Sequence, residues 1–331
     1  MSDLSPASAE RRASTLPRRV RIVEVGPRDG LQNERGIVPA DDKIRLIDAL
    51  VEAGLKTVEA GSFVSPKWVP QMADSDRILT SVTRRPDISL PVLVPNRKGL
   101  DAALAAGADT IAVFAAATES FAGKNLNASV ADSLRKFSDV AREAEKHGLR
   151  VRGYVSCAIH CPYEGFIPPE QAARLAAALM DMGCYEISLC DTTGAGTPAR
   201  ARAMIEASAA IVPIEQIAVH FHDTYGQALA NTVTCLEMGV AIVDSSVAGL
   251  GGCPYSPGAA GNLATEDLVY MLDGMGIETG VDLAAVAAAG RAITKVIGRN
   301  STSRVATVLA RKAGFAADGG ESAERNLEVT Q

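Results

Sequence analysis

The stretch Arg150–Leu189, RVRGYVSCAIHCPYEGFIPPEQAARLAAALMDMGCYEISL, contains one complete strand–helix–strand unit. It opens with a predicted strand, Arg150–Ser156, continues through a predicted helix, Pro169–Met182, and ends in a second apolar strand, Glu186–Leu189. Short apolar runs of this kind predict strands of a parallel sheet that is buried on both faces. A proline at the helix start and Gly183 after its end are typical helix boundaries.

The same unit repeats along the chain. The predicted strands are Val20–Val25, Thr57–Glu59, Leu90–Val94, Thr110–Ala115, Arg150–Ser156, Glu186–Leu189, Ala218–Phe221 and Ile242–Ser246. The helical patterns include Asp41–Ala53, Asn127–His147, Pro169–Met182, Ala199–Ile211, Tyr225–Met238, Asn262–Met275 and Asp282–Gly298. Eight strand–helix units in about 250 residues are typical of an α/β fold, the (β/α)8 TIM barrel, here with extra C-terminal helices. An open doubly wound sheet usually has a G-x-G-x-x-G motif after its first strand, and here the sequence is GPRDG.

The predicted barrel domain covers residues 20–299. Residues 1–19 contain four arginines among serines and alanines and are predicted to be a disordered leader, with a mitochondrial transit peptide as the alternative. Residues 300–331 are predicted to form a helical extension that ends in a frayed tail.

The composition excludes several classes of function. The 331 residues carry 33 basic and 39 acidic side chains, a net charge of −6, and aromatic residues make up only 4%. Neither value favours nucleic-acid binding. The sequence has no apolar run of the roughly 20 residues that a membrane span needs. Six scattered cysteines fit a reducing compartment, so we expect a cytoplasmic protein.

In a barrel of this type the active site lies at the carboxyl ends of the strands. We therefore expect polar, ligand-capable side chains to lie there and nowhere else along the strands. The candidates at or just after predicted strand ends are Arg28, Asp29, Glu59, Ser62, Asp191, His220, His222 and Asn262.

His220 and His222 are two of the four histidines in the chain. Residues i and i+2 of a strand point to the same side, so both imidazoles can reach one centre. An isolated His-x-His pair is more often packing than a metal site. Together with Asp29 and Asn262, however, the two nitrogens and two oxygens suit a divalent ion such as Mg²⁺ or Mn²⁺.

Three other charged side chains leave their roles open. Arg28 either forms an ion pair with Asp29 or stabilises an oxyanion that develops during a reaction. Glu59 is a general base, a supporting acceptor or a partner of Arg28, and Asp191 has the same alternatives. The residues alone do not rank these roles.

The stretch Gly249–Gly258 is unusually rich in glycine and contains Cys253. Placed after the eighth strand, it is predicted to be a mobile lid over the barrel mouth. Cys253 would then take part in proton transfer near bound cations. The alternative is an ordinary flexible loop with an incidental cysteine.

The assembled motifs resemble the 3-hydroxy-3-methylglutaryl-CoA lyase family of metal-dependent barrel enzymes. They are Glu24–Glu34 (EVGPRDGLQNE), Ser62–Met72 (SFVSPKWVPQM), Val219–Leu229 (VHFHDTYGQAL), Ala248–Tyr255 (AGLGGCPY) and Gly261–Leu272 (GNLATEDLVYML), in this order. The resemblance implies cleavage of 3-hydroxy-3-methylglutaryl-CoA to acetyl-CoA and acetoacetate by a retro-aldol step. It also implies an acyl-CoA substrate, a place in leucine breakdown and ketone-body formation, and a non-covalent homodimer or higher homo-oligomer.

The resemblance also implies residue roles. The Mg²⁺ or Mn²⁺ ligands would be Asp29, His220, His222 and Asn262. The catalytic residues would be Arg28, which stabilises the enolate oxygen, His220, which moves protons, Asp191 and Cys253. The substrate-binding residues would be Arg28, Gln32, Glu59 and Ser62. Glu266 matches a further polar position near the site.

Two alternatives from other classes remain at this point. Condensing enzymes of the isopropylmalate and citramalate synthase type share the Arg-Asp-Gly and His-x-His motifs. They usually have Glu-Gln where this chain has Leu31–Glu34, and they carry a regulatory domain for which the residues after Gly298 are too few. The other alternative is an inactive barrel that serves as a binding module. Ala60 and Gly61 leave room for longer 3-hydroxyglutaryl-CoA analogues.

Overall fold

The structure is a computed structural model that describes residues 16–252 and 261–317, with side chains up to residue 312. Its strands are β1 (Arg21–Glu24), β2 (Thr57–Val58), β3 (Gly61–Ser62), β4 (Val92–Leu93), β5 (Thr110–Ala116), β6 (Arg150–Ser156), β7 (His160–Cys161), β8 (Gly165–Phe166), β9 (Glu186–Asp191), β10 (Ile217–Phe221) and β11 (Ile242–Ser245). Its α-helices are α1 (Ala40–Glu52), α2 (Ser75–Ser81), α3 (Arg97–Ala105), α4 (Glu119–Leu126), α5 (Val130–Lys146), α6 (Pro169–Asp181), α7 (Pro198–Ala209), α8 (Ala228–Glu237), α9 (Thr265–Gly274), α10 (Leu283–Ile297) and α11 (Arg304–Ala317).

Nine of these strands form one parallel sheet in the order β2-β1-β11-β10-β9-β6-β5-β4-β3. The two ends of this order, β2 and β3, belong to a single extended segment, residues 57–62, that pairs with β1 first and with β4 afterwards. The sheet therefore closes on itself with eight strand positions, which confirms the predicted (β/α)8 barrel. Each predicted strand overlaps an observed one, and most ends agree within two residues.

The antiparallel hairpin β7–β8 was not among the predicted elements. It lies between β6 and α6, in a connection for which the sequence analysis predicted no element. Its two strands have only two residues each, which is too short for a recognisable hydrophobic alternation.

Charged residues also lie inside the barrel, whereas we expected polar residues only at the strand ends. Arg152, Glu186 and Asp244 lie within β6, β9 and β11 and are almost completely buried. Arg152 forms ion pairs with both carboxylates. Because β6 and β11 are not neighbours in the sheet, the Arg152–Asp244 contact crosses the inside of the barrel. The expectation was wrong here because mutual pairing makes buried charges tolerable.

The helices after the last strand complete the barrel wall. Helix α10 packs against α1, and the Asp282 N–H donates to the Ala53 carbonyl at the end of α1, with an N···O distance of 2.8 Å. Gly54, with φ +101°, lies so close to this segment that a Cβ there would be 2.2 Å from the Gly280 carbonyl oxygen. Helix α11 lies in the predicted C-terminal extension. Residues 1–15 of the predicted leader and 318–331 of the predicted tail lie outside the described residues.

Among the described residues, none of the helices combines the length and apolar character that crossing a membrane requires.

The contact between the chain after α1 and the segment before α10 predicts a position-specific cost. Gly54→Ala should lower the free energy of unfolding by about 1–3 kcal/mol more than Gly148→Ala. Both glycines have a positive φ and follow the end of a helix, but a Cβ at Gly148 would meet nothing within 4 Å. Gly148→Ala should therefore cost only the backbone term, roughly 1–2 kcal/mol. Urea unfolding followed by circular dichroism measures both, and equal losses would contradict the close approach.

Candidate active site

The first strand leads directly into the turn that carries two of the predicted site residues. Residues Gly26–Gly30 form a π-helical turn immediately after β1. The buried Glu24 carboxylate accepts the Gly26 N–H at 2.7 Å and the Val247 N–H at 2.9 Å. A Cβ at Gly26 would lie 2.6 Å from Glu24 Oε1, so this position requires glycine. Glu24 therefore fixes the turn against the chain that follows β11.

Three of the predicted metal ligands form a compact cluster at the carboxyl ends of the strands. Asp29, His220 and His222 each offer a ligand atom, and these atoms all lie within 4.8 Å of one another. His220 Nε2 is 3.9 Å from Asp29 Oδ2. The two histidines are buried, and the Asp29 side chain is about one-fifth exposed, at 21%.

Asn262 joins this cluster through its amide. Its Nδ2 donates to Asp29 Oδ2 at 2.9 Å and to the Leu250 carbonyl at 3.0 Å. Its Oδ1 is buried and has no hydrogen-bond partner among the described residues. Since buried polar atoms are normally paired, this oxygen is available for a ligand. Two imidazoles, a carboxylate and an amide oxygen form a donor set that fits a divalent cation.

Arg28 is held by two carboxylates beside the cluster. Its Nε donates to Glu59 Oε2 and its Nη1 donates to Asp29 Oδ1, both at 2.7 Å. Of the alternatives in the sequence, the ion pair with Asp29 and the pairing of Glu59 with Arg28 are both present. Neither excludes a role in a reaction, because two contacts use only part of the five N–H donors of a guanidinium.

The electrostatic surroundings keep Asp29 ionised. Burial alone raises the pKa of Asp29, but Arg28, His220 and His222 together lower it from 3.8 to about 2. At Glu59, burial has the larger effect and raises the pKa above its usual value despite the contact with Arg28. Asp29 is therefore anionic at neutral pH, as a metal ligand must be.

Asp191 ends β9 next to the cluster. Its Oδ2 accepts the Gly196 N–H at 2.8 Å, whereas its buried Oδ1 has no hydrogen-bond partner in residues 16–252 and 261–312. Burial raises the pKa of Asp191 to about 6, although three backbone N–H groups partly oppose this. A carboxyl group of this kind can hold or release a proton near neutral pH.

The remaining predicted residues are Ser62, Gln32, Glu266 and Cys253. Ser62 ends β3, where its backbone N–H donates to Ser75 Oγ at 3.0 Å, and Gln32 is half-buried just after the turn of β1. Glu266 accepts the Ala248 N–H, and burial raises its pKa to about 8. Cys253 lies outside the described residues, so its predicted lid and catalytic role stay a prediction.

The sequence analysis missed Asp244, which contacts His220 from inside the barrel. It lies in the predicted strand Ile242–Ser246, where it is the only charged residue of an otherwise apolar and hydroxyl-bearing run. A lone charge in a strand buried on both faces is the signal that identifies it, since such a charge needs a partner inside the barrel.

Fold and site together define a (β/α)8-barrel protein with a candidate divalent-metal site at the carboxyl ends of its strands. The family profile described as HMGL-like matches residues 19–293 of the chain. The chain belongs to the HMGL-like family, and the resemblance found in its sequence motifs is confirmed.

Close relatives have names that agree with this family. Hydroxymethylglutaryl-CoA lyase, mitochondrial, of Bos taurus is 58% identical over 292 residues, which cover 88% of this chain and 90% of that protein. The Pseudomonas aeruginosa 3-hydroxy-3-isohexenylglutaryl-CoA/hydroxy-methylglutaryl-CoA lyase is 54% identical over 298 residues, 90% of this chain and 99% of that protein. The crystal structure of hydroxymethylglutaryl-CoA lyase from Pseudomonas aeruginosa matches with a TM-score of 0.88 and 54% identity, covering 90% of this chain and 99% of that one.

The cluster geometry predicts which histidine matters for metal binding. His222→Ala should raise the dissociation constant for Mn²⁺ by more than about 100-fold, because it deletes a ligand. His147→Ala is the matched control, since His147 is exposed at the end of α5, where it faces Glu143. Isothermal titration of metal-free protein measures both constants. Unchanged affinity in His222→Ala would refute the ligand set.

Proposed function

We propose that the chain cleaves 3-hydroxy-3-methylglutaryl-CoA to acetyl-CoA and acetoacetate. The observation that carries the proposal is the juxtaposition of the Asp29, His220, His222 and Asn262 cluster with the fixed guanidinium of Arg28 at the barrel mouth. The lyase names of relatives that share more than half of its residues support the reaction. They give no support to the condensing synthase or to an inactive binding module.

The four residues of the cluster would hold a divalent cation, Mg²⁺ or Mn²⁺. When bound, such an ion supplies a Lewis acid for the oxygen that becomes a ketone. The protein's own part is to present the ligands together. The bond from Asn262 to Asp29 orients both side chains, and Arg28 holds the second oxygen of Asp29.

Arg28 would stabilise the charge that develops on the thioester oxygen. Loss of the proton from the 3-hydroxyl group and cleavage of the C2–C3 bond leave an electron pair on C2, which is delocalised onto that oxygen as an enolate. A guanidinium clamped by Glu59 and Asp29 needs little reorganisation when the charge appears. Protonation of C2 then gives acetyl-CoA, so the proton that leaves the hydroxyl group is balanced by one returned to carbon.

The candidates for proton transfer are Asp191 and His220. Asp191 pairs with Phe221 in the register of β9 and β10, so it lies one position away from His220. Asp191 Oδ1 is the better placed of the two, because it has no hydrogen-bond partner among the described residues. His220 has one nitrogen towards Asp244 and the other towards Asp29, which fits a metal ligand better than a proton carrier.

The substrate would be held by Arg28, Gln32, Glu59 and Ser62, with Cys253 taking part in catalysis. We extend the substrate range to analogues with a larger 3-substituent, as the name of the Pseudomonas aeruginosa relative suggests for that protein. Ala60 and Gly61 do not provide the extra room, because Ala60 is buried in the core and a Cβ at Gly61 would lie 2.7 Å from Ser75 Oγ.

We propose a cytoplasmic enzyme of leucine breakdown and ketone-body formation that works as a non-covalent homodimer or higher homo-oligomer. Within the described ranges, Cys161, Cys184, Cys190 and Cys235 are free thiols and buried, which supports association without disulfides. The name of the Bos taurus relative favours the alternative, import into mitochondria. Cell fractionation distinguishes the two compartments.

Metal removal tests the reaction and the cofactor together. Purified protein should release acetoacetate and acetyl-CoA from 3-hydroxy-3-methylglutaryl-CoA with Mg²⁺, lose this activity in EDTA and recover it when Mg²⁺ or Mn²⁺ is added back. Cleavage that continues in EDTA would contradict the metal site. Absence of cleavage with metal, for this substrate and its longer analogues, would refute the lyase reaction.

Arg28→Gln should lower kcat by more than about 100-fold, because the enolate loses its fixed cation. Its metal affinity should fall by no more than about tenfold, since all four ligands remain and only the bond from Arg28 to Asp29 is lost. The control is Arg135→Gln, which removes an exposed cation on α5 and should leave kcat unchanged. A kcat loss smaller than about tenfold would contradict the enolate role.

A further inference from the structure

A buried ionic network lies inside the barrel, directly behind the metal cluster. Arg152 is completely buried and donates from Nη2 to Asp244 Oδ1 at 2.7 Å and from Nη1 to Asp244 Oδ2 at 3.1 Å. Its Nε donates to Glu186 Oε1 at 2.7 Å. The Ser188 hydroxyl donates to Asp244 Oδ2 at 2.9 Å. Three of these bonds, two from Arg152 and one from Ser188, hold the Asp244 carboxylate in place.

Asp244 also reaches the metal cluster itself. His220 and Asp244 are partners in the register of β10 and β11, and their side chains meet inside the barrel. His220 Nδ1 lies 3.3 Å from Asp244 Oδ2. The ring of Tyr154 meets the His220 ring edge-on at a centroid distance of 6.4 Å.

The two nitrogens of His220 therefore face different partners. Nδ1 faces the Asp244 carboxylate and Nε2 faces Asp29, with 3.9 Å between Nε2 and Asp29 Oδ2. An ionised carboxylate only accepts hydrogen bonds, so Nδ1 must carry the proton of this contact. In a neutral imidazole the lone pair is then on Nε2, on the side of the cluster.

We infer that Asp244 is a positioning residue that fixes the tautomer and the ring orientation of His220, so that Nε2 presents its lone pair to the metal. A carboxylate behind a metal-binding histidine raises the basicity of the ligand and holds its ring. Arg152 and Ser188 in turn hold the carboxylate. This role rests on the proposed metal site, but the contact between Asp244 and His220 is independent of the substrate.

The network offers a matched control at its other end. Glu186 pairs with Arg152 as Asp244 does, and it also pairs with Arg21, but its contacts do not include His220. Glu186→Gln and Asp244→Asn each remove one buried carboxylate from Arg152. Both should therefore lose stability, whereas only Asp244→Asn changes the partner of His220.

The test compares these two variants by Mn²⁺ titration and urea unfolding. Asp244→Asn should raise the Mn²⁺ dissociation constant by about 10–100-fold. Glu186→Gln should change it by less than about threefold. Wild-type affinity in Asp244→Asn, or equal losses of affinity in both variants, would overturn the inference, because the effect would then follow the damage to Arg152.

A second measurement uses the wild-type protein and covers the case in which Asp244→Asn fails to fold. Protein labelled with ¹⁵N-histidine, free of metal and held near pH 9 where imidazoles are neutral, should show His220 protonated at Nδ1 in long-range ¹H–¹⁵N spectra. His220→Gln assigns the signal. Protonation at Nε2 would overturn the inference. A wild-type protein that binds no Mn²⁺ would refute the proposed metal site, and the tautomer would still decide the Asp244 contact.

Discussion

The arrangement of the site depends on the pairing of Arg152 with Asp244 and Glu186 inside the barrel. A charge buried this deeply is stable only with its partners, and removing one partner of such a pair typically costs about 3–5 kcal/mol. The network also reaches the catalytic side. The Tyr154 ring is close to both guanidinium groups, with its centroid 4.8 Å from Arg152 Cζ and 5.6 Å from Arg28 Cζ. The interior charges therefore support His220 and Arg28 at once.

A second constraint joins the first strand to the last. Glu24 and Glu266 are buried carboxyl groups, and burial raises their pKa values to about 7 and about 8. They accept the N–H groups of Val247 and Ala248, in the turn after β11, and Glu24 also holds Gly26. Glu24 thus contacts both turns, the one that carries Arg28 and Asp29 and the one that follows β11. This explains how ligands far apart in sequence keep a common position.

The strands and the position of the site were predictable from the sequence for a clear physical reason. A parallel strand buried on both faces is a short apolar run, and its carboxyl end is the first place where polar side chains are tolerated. Asp29, Asp191, His220 and His222 follow from this rule. Arg152 and Asp244 break it, because they lie within strands and only the closed barrel brings them together. Their pairing cannot be read from one strand alone, whereas both contacts of Arg28 were among the alternatives that the sequence left open.

Barrel closure has a consequence for synthesis of the chain. One edge of β1 pairs with β2, which follows it after one helix, but its other edge pairs with β11, where Arg21 is opposite Ile242. During translation this second edge has no partner strand until most of the protein has been made. A nascent chain or truncated product that stops before Ile242 therefore exposes the unpaired edge of an apolar strand. Such an edge can pair with strands of other chains, which leads to aggregation.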